Sequence, residues 1–500
     1  MKTIGIIDIG SNSVRLILVN IGESNSVQVI DELKESIRLG EGMEKDLCIP
    51  EEKINSTIKT LESFKNLCDS FNTSDIIAVA TEAVRKAKNQ KYFLDRVEKE
   101  VNLKIRVLTG EEEGYYDYFG VINSISIKNA LIMDIGGAST ELALVKNRKL
   151  VKCISLPFGS ITLTNKFKIK DELTSEQEQE LKEFLTSSFE KISWLNEINT
   201  STLIGIGGSI RNLSKVDRKY KNYPINTIHN YSVDSAAFKN IYSLLKTKTL
   251  EQRSKVKGLS AERADIIVGA SCAVSTIIDM CNIKKIVISG RGLREGLLYD
   301  YICDNGKPFN DILDVSIKNM LLTHNSSYKH AMHVYNLTKT LFDDLKELHG
   351  LSNDVENVLK TAAMLHDIGI SITYYDHHKH SFYMILNGQL DGLTHKEIIM
   401  SAYTAAFHRK EAFKSHIIQY KSIINKDDMD TIEKLGIFVR IAESLDRSMT
   451  GVIEKIKCQI TDDAVIIKTI SNSNTNLEIS DALKAASTFK NIYGKKLYIV

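Results

Sequence analysis

Two stretches of the chain share one pattern of apolar and polar positions. Residues 6–19 (IIDIGSNSVRLILV) and 132–145 (IMDIGGASTELALV) each lead from apolar residues through Asp-Ile-Gly and a small polar turn into an alternating apolar segment. Alternation with a period of two predicts a β-strand, so each copy predicts a strand, a tight turn and a second strand. Eight of the fourteen aligned positions are identical at an offset of 126 residues. This offset is too long for a solenoid repeat and indicates two duplicated domains.

The pattern changes after a connector at 303–310 that contains Gly, Pro and Asn. Long apolar stripes at helical spacing follow it, at 330–348, 355–366 and 431–448. The last fifty residues are mixed, with strand patterns at 455–460, 464–470 and 496–500 and a helix pattern at 479–494 that Gly494 closes. We therefore predict two α/β segments, a helical segment and a small α+β segment, bounded at 1–125, 126–303, 310–450 and 451–500.

Composition narrows the class of protein without identifying it. The 500 residues are 43% hydrophobic and 26% charged, as in ordinary globular chains, and 65 basic against 63 acidic residues leave a net charge of +2. A net charge this close to zero does not favour binding to nucleic acid or to an anionic membrane. No C-x-x-C pair, signal-peptide pattern or membrane-length apolar run occurs in the sequence. We expect a reduced, cytoplasmic protein that binds neither nucleic acid nor membrane.

The two turns of the repeat carry groups suited to a phosphate chain. Glycine lets backbone N–H groups turn toward an anion, and neighbouring serine and asparagine side chains add hydrogen-bond donors. Asp8 and Asp134, which precede these turns, can hold a divalent cation that screens phosphate charge. One such turn is common in proteins, whereas two that face each other would form a clamp. The candidate phosphate-binding residues are Gly10, Ser11, Asn12, Ser13, Gly136, Gly137 and Ser139.

Another turn and several arginines offer further partners for an anion. The turn formed by Gly207, Gly208 and Ser209 follows a predicted strand and opens a predicted helix, whose N–H groups and dipole favour an anion. The candidate guanidinium partners for phosphate oxygens are Arg85, Arg211, Arg291 and Arg294. A surface or helix-end charge accounts equally well for any single one of these arginines.

The segment 109–116 combines a helix start with a run of acids. Thr109 followed by Glu112 fits a capping box, and acidic residues favour the first turn of a helix. That arrangement explains Glu112 but does not require Glu113. A carboxylate at such a position can orient and deprotonate a water for in-line attack on a terminal phosphoryl group.

Eight motifs occur in order along residues 1–302: IGIIDIGSNSVRL, AVATEAVRKA, LTGEEEGYYDYFGV, IMDIGGASTELAL, PFGSITLTNKF, IGIGGSIRNL, LSAERADIIVGA and ISGRGLREGLLYD. In sequence and order they resemble the exopolyphosphatase / guanosine pentaphosphate phosphatase family. The resemblance implies two duplicated RNase H-like (actin-like) α/β domains with phosphate bound in the cleft. It implies Glu113 and Glu141 as catalytic carboxylates, with Glu113 as the general base, and Asp134 and Glu141 at the positions of Mg²⁺ and water. Arg85 and Arg294 fall where the family contacts phosphate.

The helical segment carries histidines and acids at positions expected to face inward. His333 lies on an apolar stripe, His366 and Asp367 follow an apolar helix, and Asp446 lies on the inner face of a later helix. A single buried histidine is more often a hydrogen-bonded core residue than a metal ligand. Together these residues resemble the HD metal-dependent phosphohydrolases, which implies an all-helical HD-like domain and a second divalent metal of unknown identity. Candidates for extending the site to another metal are His378, His380 and His408.

These observations favour an exopolyphosphatase that releases orthophosphate from the end of inorganic polyphosphate, with Mg²⁺ in the cleft and a homodimer as the assembly. The first alternative is hydrolysis of guanosine pentaphosphate by the same residues, since no mark of a guanine pocket decides between the substrates. The second alternative is a nucleotide phosphohydrolase whose active site is the HD-like one. A kinase of the same fold and a non-catalytic phosphate sensor are the other rivals.

Overall fold

The computed structural model describes residues 2–22, 25–43, 46–303, 306–409 and 417–500. The chain forms two compact units, Met1–Asn310 and Asp311–Val500, and each unit buries its own set of apolar side chains. Two residues of the predicted connector, Asp304 and Asn305, lie outside the described residues. The finer division of each unit into two domains stays a prediction.

The first sheet of the first unit contains five strands in the order β3-β2-β1-β4-β5. They are β1 (Lys2–Ile9), β2 (Val14–Ile21), β3 (Val27–Glu35), β4 (Asp75–Ala80) and β5 (Ile105–Val107). Strands β1, β2 and β3 pair antiparallel, whereas β4 is parallel to both β1 and β5. The central strand β1 is apolar over most of its length because helices and neighbouring strands cover both of its faces.

The second sheet contains six strands in the order β10-β11-β9-β6-β7-β8. They are β6 (Ala130–Ile135), β7 (Thr140–Lys146), β8 (Lys149–Leu156), β9 (Thr202–Ile206), β10 (Ser232–Asp234) and β11 (Lys285–Ile288). Apart from β10, its strand order and directions repeat those of the first sheet. The registers also correspond, because Asp8 pairs with Arg15 in β1–β2 and Asp134 pairs with Glu141 in β6–β7.

Helices pack against both sheets of the first unit. They are α1 (Glu51–Ser70), α2 (Glu82–Lys86), α3 (Gln90–Val101), α4 (Gly110–Ile122), α5 (Ser160–Lys166), α6 (Ser175–Glu190), α7 (Gly207–Tyr220), α8 (Ser235–Lys246), α9 (Leu250–Ser254), α10 (Ile267–Met280) and α11 (Leu293–Ile302). The predicted capping box starts α4, since Thr109 accepts from the Glu112 N–H and Glu112 accepts from the Thr109 N–H. Helices α4 and α11 approach closely at Gly296, where a Cβ would lie 2.0 Å from the carbonyl oxygen of Tyr116.

The second unit is helical up to residue 445 and then mixed. Its helices are α12 (Ile312–Thr323), α13 (Tyr328–Asp344), α14 (Lys346–His349), α15 (Glu356–Leu365), α16 (His377–Asn387), α17 (His395–Phe407), α18 (Lys426–Leu445), α19 (Asn476–Ala482) and α20 (Ala486–Tyr493). A small sheet joins β12 (Ile453–Ile460), β13 (Ala464–Ser471) and β14 (Lys496–Ile499) in that order. Gly494 ends α20 in the left-handed conformation, as predicted. No helix among the described residues has the length and apolar character needed to cross a membrane.

Candidate active site

The two hairpin turns of the repeat line one pocket in the first unit. The predicted residues that the pocket brings together are Asp8, Gly10, Ser11, Asn12, Ser13, Glu113, Asp134, Gly136, Gly137, Ser139, Gly207, Gly208, Arg211 and Arg294. The predicted residues outside this lining are Arg85, Glu141, Ser209 and Arg291. Each turn directly joins two paired strands, and residues 126 positions apart in the sequence line the same pocket.

Acidic side chains in the pocket have buried oxygen atoms without hydrogen bonds. Among the described residues, none donates to Oδ1 of Asp8, Asp117 or Asp134. Gly207, with φ of +80°, leaves room beside the last of these atoms, because a Cβ there would lie 2.2 Å from Oδ1 of Asp134. Burying unpaired carboxylates is costly, and a divalent cation with oxygen ligands removes that cost. These residues therefore fit a hard cation such as Mg²⁺.

Burial and mutual repulsion also shift the pKa values of these acids. Burial raises the pKa of Asp134 to about 6, and burial together with the neighbouring Asp134 raises the pKa of Glu141 to about 8. Burial and the charge of Asp134 raise the pKa of Asp117 well above its usual range. Such clusters of shifted acids are typical of functional sites, and a bound cation would favour their ionised forms.

Glu113 is held in the first turn of α4 by an arginine. Arg85 Nη1 donates to Oε2 of Glu113 across 3.1 Å and to the carbonyl of Leu108 across 2.6 Å, while Nη2 pairs with Glu82. Burial and the charge of Glu141 raise the pKa of Glu113 well above its usual range, although Arg85 opposes this rise. In the structure Arg85 donates to these protein groups and lies outside the pocket lining, so its contact with phosphate stays a prediction.

Glu141 and Ser209 are also outside the residues that line the pocket. Glu141 is buried on β7 and accepts a hydrogen bond from Ser155 Oγ across 2.7 Å. Ser209 is fully buried at the start of α7, where its hydroxyl lies 3.4 Å from Nη1 of Arg263. Ser209 therefore contacts a residue that lines the pocket, Arg263, whereas Ser155, which donates to Glu141, does not line it.

Four arginines line the pocket, and the sequence pointed to only two of them. Arg15 and Arg263 join the predicted Arg211 and Arg294. Burial and the nearby charges of Arg15 and Arg211 lower the pKa of Arg263 to about 10, so these guanidinium groups repel one another. Nη1 of Arg294 is buried and has no hydrogen-bond acceptor among the described residues. An anion in the pocket would relieve both effects.

Arg15, Arg263 and Asp117 are among the pocket residues that the sequence did not single out. Arg263 lies in the quoted motif LSAERADIIVGA, but a motif does not say which of its charges faces a site. Asp117 lies one helical turn after Glu113 on α4. The spacing of four residues between these two acids could have indicated that both face the same site.

A second cluster of ligating groups occurs in the second unit. His330, His366 and Asp367 form one group, and Asp367, His377 and His408 form another. The predicted His333 is outside both groups, since its Nε2 hydrogen-bonds the carbonyl of Ile453 at 2.9 Å.

The position of His333 outside these groups has a geometric reason. The buried face of α13 passes through His330, Val334, Leu337 and Leu341, and this places His333 at the half-buried side of the helix. Extending the stripe of leucines backwards from Leu337 by four residues leads to His333, whereas the buried face continues three residues back, at Val334.

The structure places Asp446 beside this cluster, and its role as a metal ligand stays a prediction, as do those of the additional histidines. Asp446 Oδ2 accepts from His330 Nδ1 at 2.7 Å and its Oδ1 accepts from the Gly451 N–H at 2.8 Å, so Asp446 orients a histidine. Of the three extra candidates, His408 belongs to the cluster, whereas His378 and His380 belong to neither group of ligating atoms found among the described residues.

The chain belongs to the Ppx/GppA phosphatase family, whose members hydrolyse phosphoanhydride bonds. The family model matches residues 17–304, and the model of Ppx/GppA phosphatase domain III matches residues 312–485. The predicted family and enzyme class are therefore confirmed, together with the α/β character of the first unit and the helical character of the second.

Individual relatives support this assignment. A bifunctional 3-dehydroquinate synthase/phosphatase of Fusobacterium nucleatum is 30% identical over 57% of this chain, and the match spans 44% of that longer protein. A guanosine-5'-triphosphate,3'-diphosphate pyrophosphatase of Pseudoalteromonas atlantica is 27% identical over 78% of this chain and 76% of its own length. The crystal structure of an exopolyphosphatase from Cytophaga hutchinsonii aligns with a TM-score of 0.57 and 25% identity, covering 60% of this chain and 98% of that one.

Proposed function

We propose that this protein is an exopolyphosphatase that removes the terminal phosphate of inorganic polyphosphate. The single observation that carries the proposal is the position of Glu113, a buried carboxylate oriented by Arg85 at a pocket lined by two Gly/Ser turns and four arginines. A base and an anion-binding lining at the same place suit attack of water on a phosphoryl group.

The residues take the following roles in the reaction. The N–H groups of the two turns and of the start of α7 bind the terminal phosphate oxygens, together with Arg211, Arg263 and Arg294. Glu113 accepts a proton from the attacking water as the new P–O bond forms. The bond between the terminal phosphorus and the bridging oxygen breaks, and orthophosphate and a chain shorter by one unit leave the site.

Mg²⁺ is the cation proposed for the cleft. Asp8 and Asp134 would hold it, with Glu141 behind them, and when bound it would neutralise the charge that develops on the phosphoryl oxygens. The unpaired oxygens of Asp8 and Asp134 support this assignment.

Guanosine pentaphosphate is the second candidate substrate. Relatives named guanosine-5'-triphosphate,3'-diphosphate pyrophosphatase match 76% to 83% of their own length, and the matches cover 78% to 84% of this chain. The same pocket residues would remove the terminal phosphate from either substrate.

The substrate is decided by comparing kcat/KM for phosphate release from long-chain polyphosphate and from guanosine pentaphosphate under the same conditions. A higher value for polyphosphate supports the proposal. A higher value for the nucleotide assigns the protein to the second candidate function, and release from neither contradicts both.

The finer architecture is part of the proposal. We infer that the first unit consists of two duplicated RNase H-like domains, which the matching strand orders and the matching registers of Asp8–Arg15 and Asp134–Glu141 support. We infer that residues 310–450 are an HD-like domain, which the convergence of His366, Asp367 and other histidines from several helices supports.

A further inference from the structure

The small sheet of the second unit has one buried face and one exposed face. Successive side chains of a strand point to opposite sides, so every second residue of β12, β13 and β14 lies on the exposed face. Strand pairing aligns these residues across the sheet, since Lys457 is opposite Lys468, and Ile466 is opposite both Gln459 and Tyr498. We call this surface the basic face, and its residues are Lys455, Lys457, Gln459, Ile466, Lys468, Ile470, Lys496, Tyr498 and Val500.

The basic face carries four positive charges and no acidic side chain. Within the described part of the chain, the ammonium groups of these lysines have no ion pair and no hydrogen bond. The acids nearest to them in the sequence lie outside the face. Glu454 is in the irregular step between Ile453 and Lys455, where it accepts a hydrogen bond from Asn472, and 462–463 form the turn between β12 and β13.

Two of the lysines face each other directly. Lys457 and Lys468 are opposite residues of the antiparallel pair β12–β13, and like charges at such positions destabilise a sheet. Lys455 extends the row along β12, because residues two apart on a strand are separated by about 6.7 Å. A ligand with several negative charges in a line would remove the repulsion and contact more than one ammonium group.

Apolar side chains lie among these charges on the same face. Ile470, Tyr498 and Val500 are 52%, 49% and 62% exposed, although each lies in or beside a strand of the sheet. Exposed apolar side chains that are grouped and bordered by polar groups mark interaction sites. The partner of this face therefore combines negative charge with apolar surface.

We propose that the basic face binds single-stranded nucleic acid. The phosphates contact the lysines, a base stacks on the ring of Tyr498, and neighbouring bases pack against Ile466 and Ile470. Protein sheets that recognise RNA use the same combination of exposed aromatic rings and basic side chains. A double helix keeps the faces of its bases stacked inside, so only a single strand offers them to a sheet.

Other anionic partners fit the basic face less well. An inorganic polyanion has no apolar surface to place against Tyr498. A membrane needs contiguous apolar surface that enters its acyl region, whereas Lys468 lies between Ile466 and Ile470 on β13. The net charge of +2 does not argue against nucleic acid here, because it averages over 500 residues and a local face is not visible in it.

Fluorescence anisotropy with the full chain tests the proposal. The probes are labelled oligouridine and oligodeoxythymidine, each about 12 nucleotides long and without terminal phosphates, in about 50–200 mM salt. Each contact to a single-strand phosphate contributes about −0.7 to the slope of log Kobs against log salt concentration, so four lysines predict a slope of about −3. The probe that binds more tightly shows whether RNA or DNA is preferred.

Two double variants test the charges. Lys457→Gln combined with Lys468→Gln should weaken binding and reduce the salt slope by about half. Lys421→Gln combined with Lys426→Gln removes two charges from exposed positions of the same unit outside the sheet and should bind like the wild type. Equal affinity of the two double variants would overturn the assignment to the basic face, as would failure of the wild type to bind either probe.

Tyr498 separates nucleic acid from other anions. Tyr498→Ala should lower the affinity by about fivefold to a hundredfold with an unchanged salt slope, whereas Tyr498→Phe keeps the ring and should retain binding. If Tyr498→Ala binds like the wild type, the face is a site for polyanions such as polyphosphate and the proposal is wrong. Binding to phosphatidylserine vesicles in place of both probes contradicts it as well. No arm measures phosphate release, so failure here leaves the proposed phosphatase reaction untouched.

Discussion

Arg85 donates a hydrogen bond to Glu113 across 3.1 Å and is itself anchored to the carbonyl of Leu108 across 2.6 Å. The arginine thereby ties the carboxylate to the backbone just before α4 and holds it at the edge of the phosphate pocket. Because the guanidinium group contacts the proposed base and also donates to the backbone, we propose that Arg85 is a positioning residue.

Loss of this anchor should slow the reaction and change its pH dependence. Arg85→Ala is expected to lower kcat by about tenfold to a hundredfold, since small displacements of a catalytic group cost that much. The charge of Arg85 lowers the pKa of Glu113, so its removal raises that pKa and should move the acidic limb of the pH–rate profile to higher pH. Arg85→Lys should restore part of both effects, and an unshifted limb would contradict the role.

Asp134 should determine the requirement for Mg²⁺. Asp134→Asn removes the charge of a proposed ligand, so the Mg²⁺ concentration for half-maximal activity should rise by at least about tenfold. Loss of a residue that only hydrogen-bonds a metal ligand already lowers metal affinity by about that factor. Chelation with EDTA should abolish wild-type activity, and added Mg²⁺ should restore it. An unchanged Mg²⁺ requirement in Asp134→Asn would exclude this residue as a ligand.

Arg263 should contribute to binding of the phosphate chain. A hydrogen bond to a charged group contributes about 1.5–3 kcal/mol, so Arg263→Gln should raise KM by roughly tenfold to a hundredfold. Lys285→Gln removes an equal charge from an exposed position on β11 and serves as the control. Equal KM values for the two variants would mean that Arg263 does not contact the substrate.

Glu178 should make the stability of the first unit depend on acid. Burial opposes its ionisation, but hydrogen bonds from Lys182, Lys246 and Tyr242 outweigh burial and lower its pKa to about 2. This stabilisation is fully present above the unfolded-state pKa near 4.5 and should be lost as the pH falls toward 2.

Urea unfolding between pH 6 and pH 2.5 measures this effect. Glu178→Gln should flatten the acid dependence of the unfolding free energy, whereas Glu176→Gln, at an exposed position of the same helix, should leave it unchanged. The same slope in both variants would show that Glu178 does not supply the stabilisation.

The sequence predicted those features that depend on local pattern. The paired strands around Asp8 and Asp134, the capping box at Thr109 and the glycine that ends the last helix are set by spacing of a few residues. The repeat also indicated which turns line the pocket, because two similar hairpins carry the same Gly and Ser groups.

Features that depend on packing between distant elements were not predictable in this way. Whether His330 or His333 points inward depends on how α13 is rotated about its axis against its neighbours. The spacing of apolar residues did not fix that rotation. Arg85 pairs with Glu82 at ordinary helical spacing, but its contacts with Leu108 and Glu113 join distant segments, which no spacing in the sequence reveals.

The role proposed for Glu113 is that of the general base of a phosphate-releasing reaction in the first unit. Its most direct test is phosphate release from long-chain polyphosphate with Mg²⁺ by the wild type, Glu113→Gln and Glu111→Gln. Loss of the base should lower kcat by about 10²–10⁴-fold, whereas the exposed Glu111 on the same helical turn should be replaceable. A Glu113→Gln variant as active as Glu111→Gln would contradict this account.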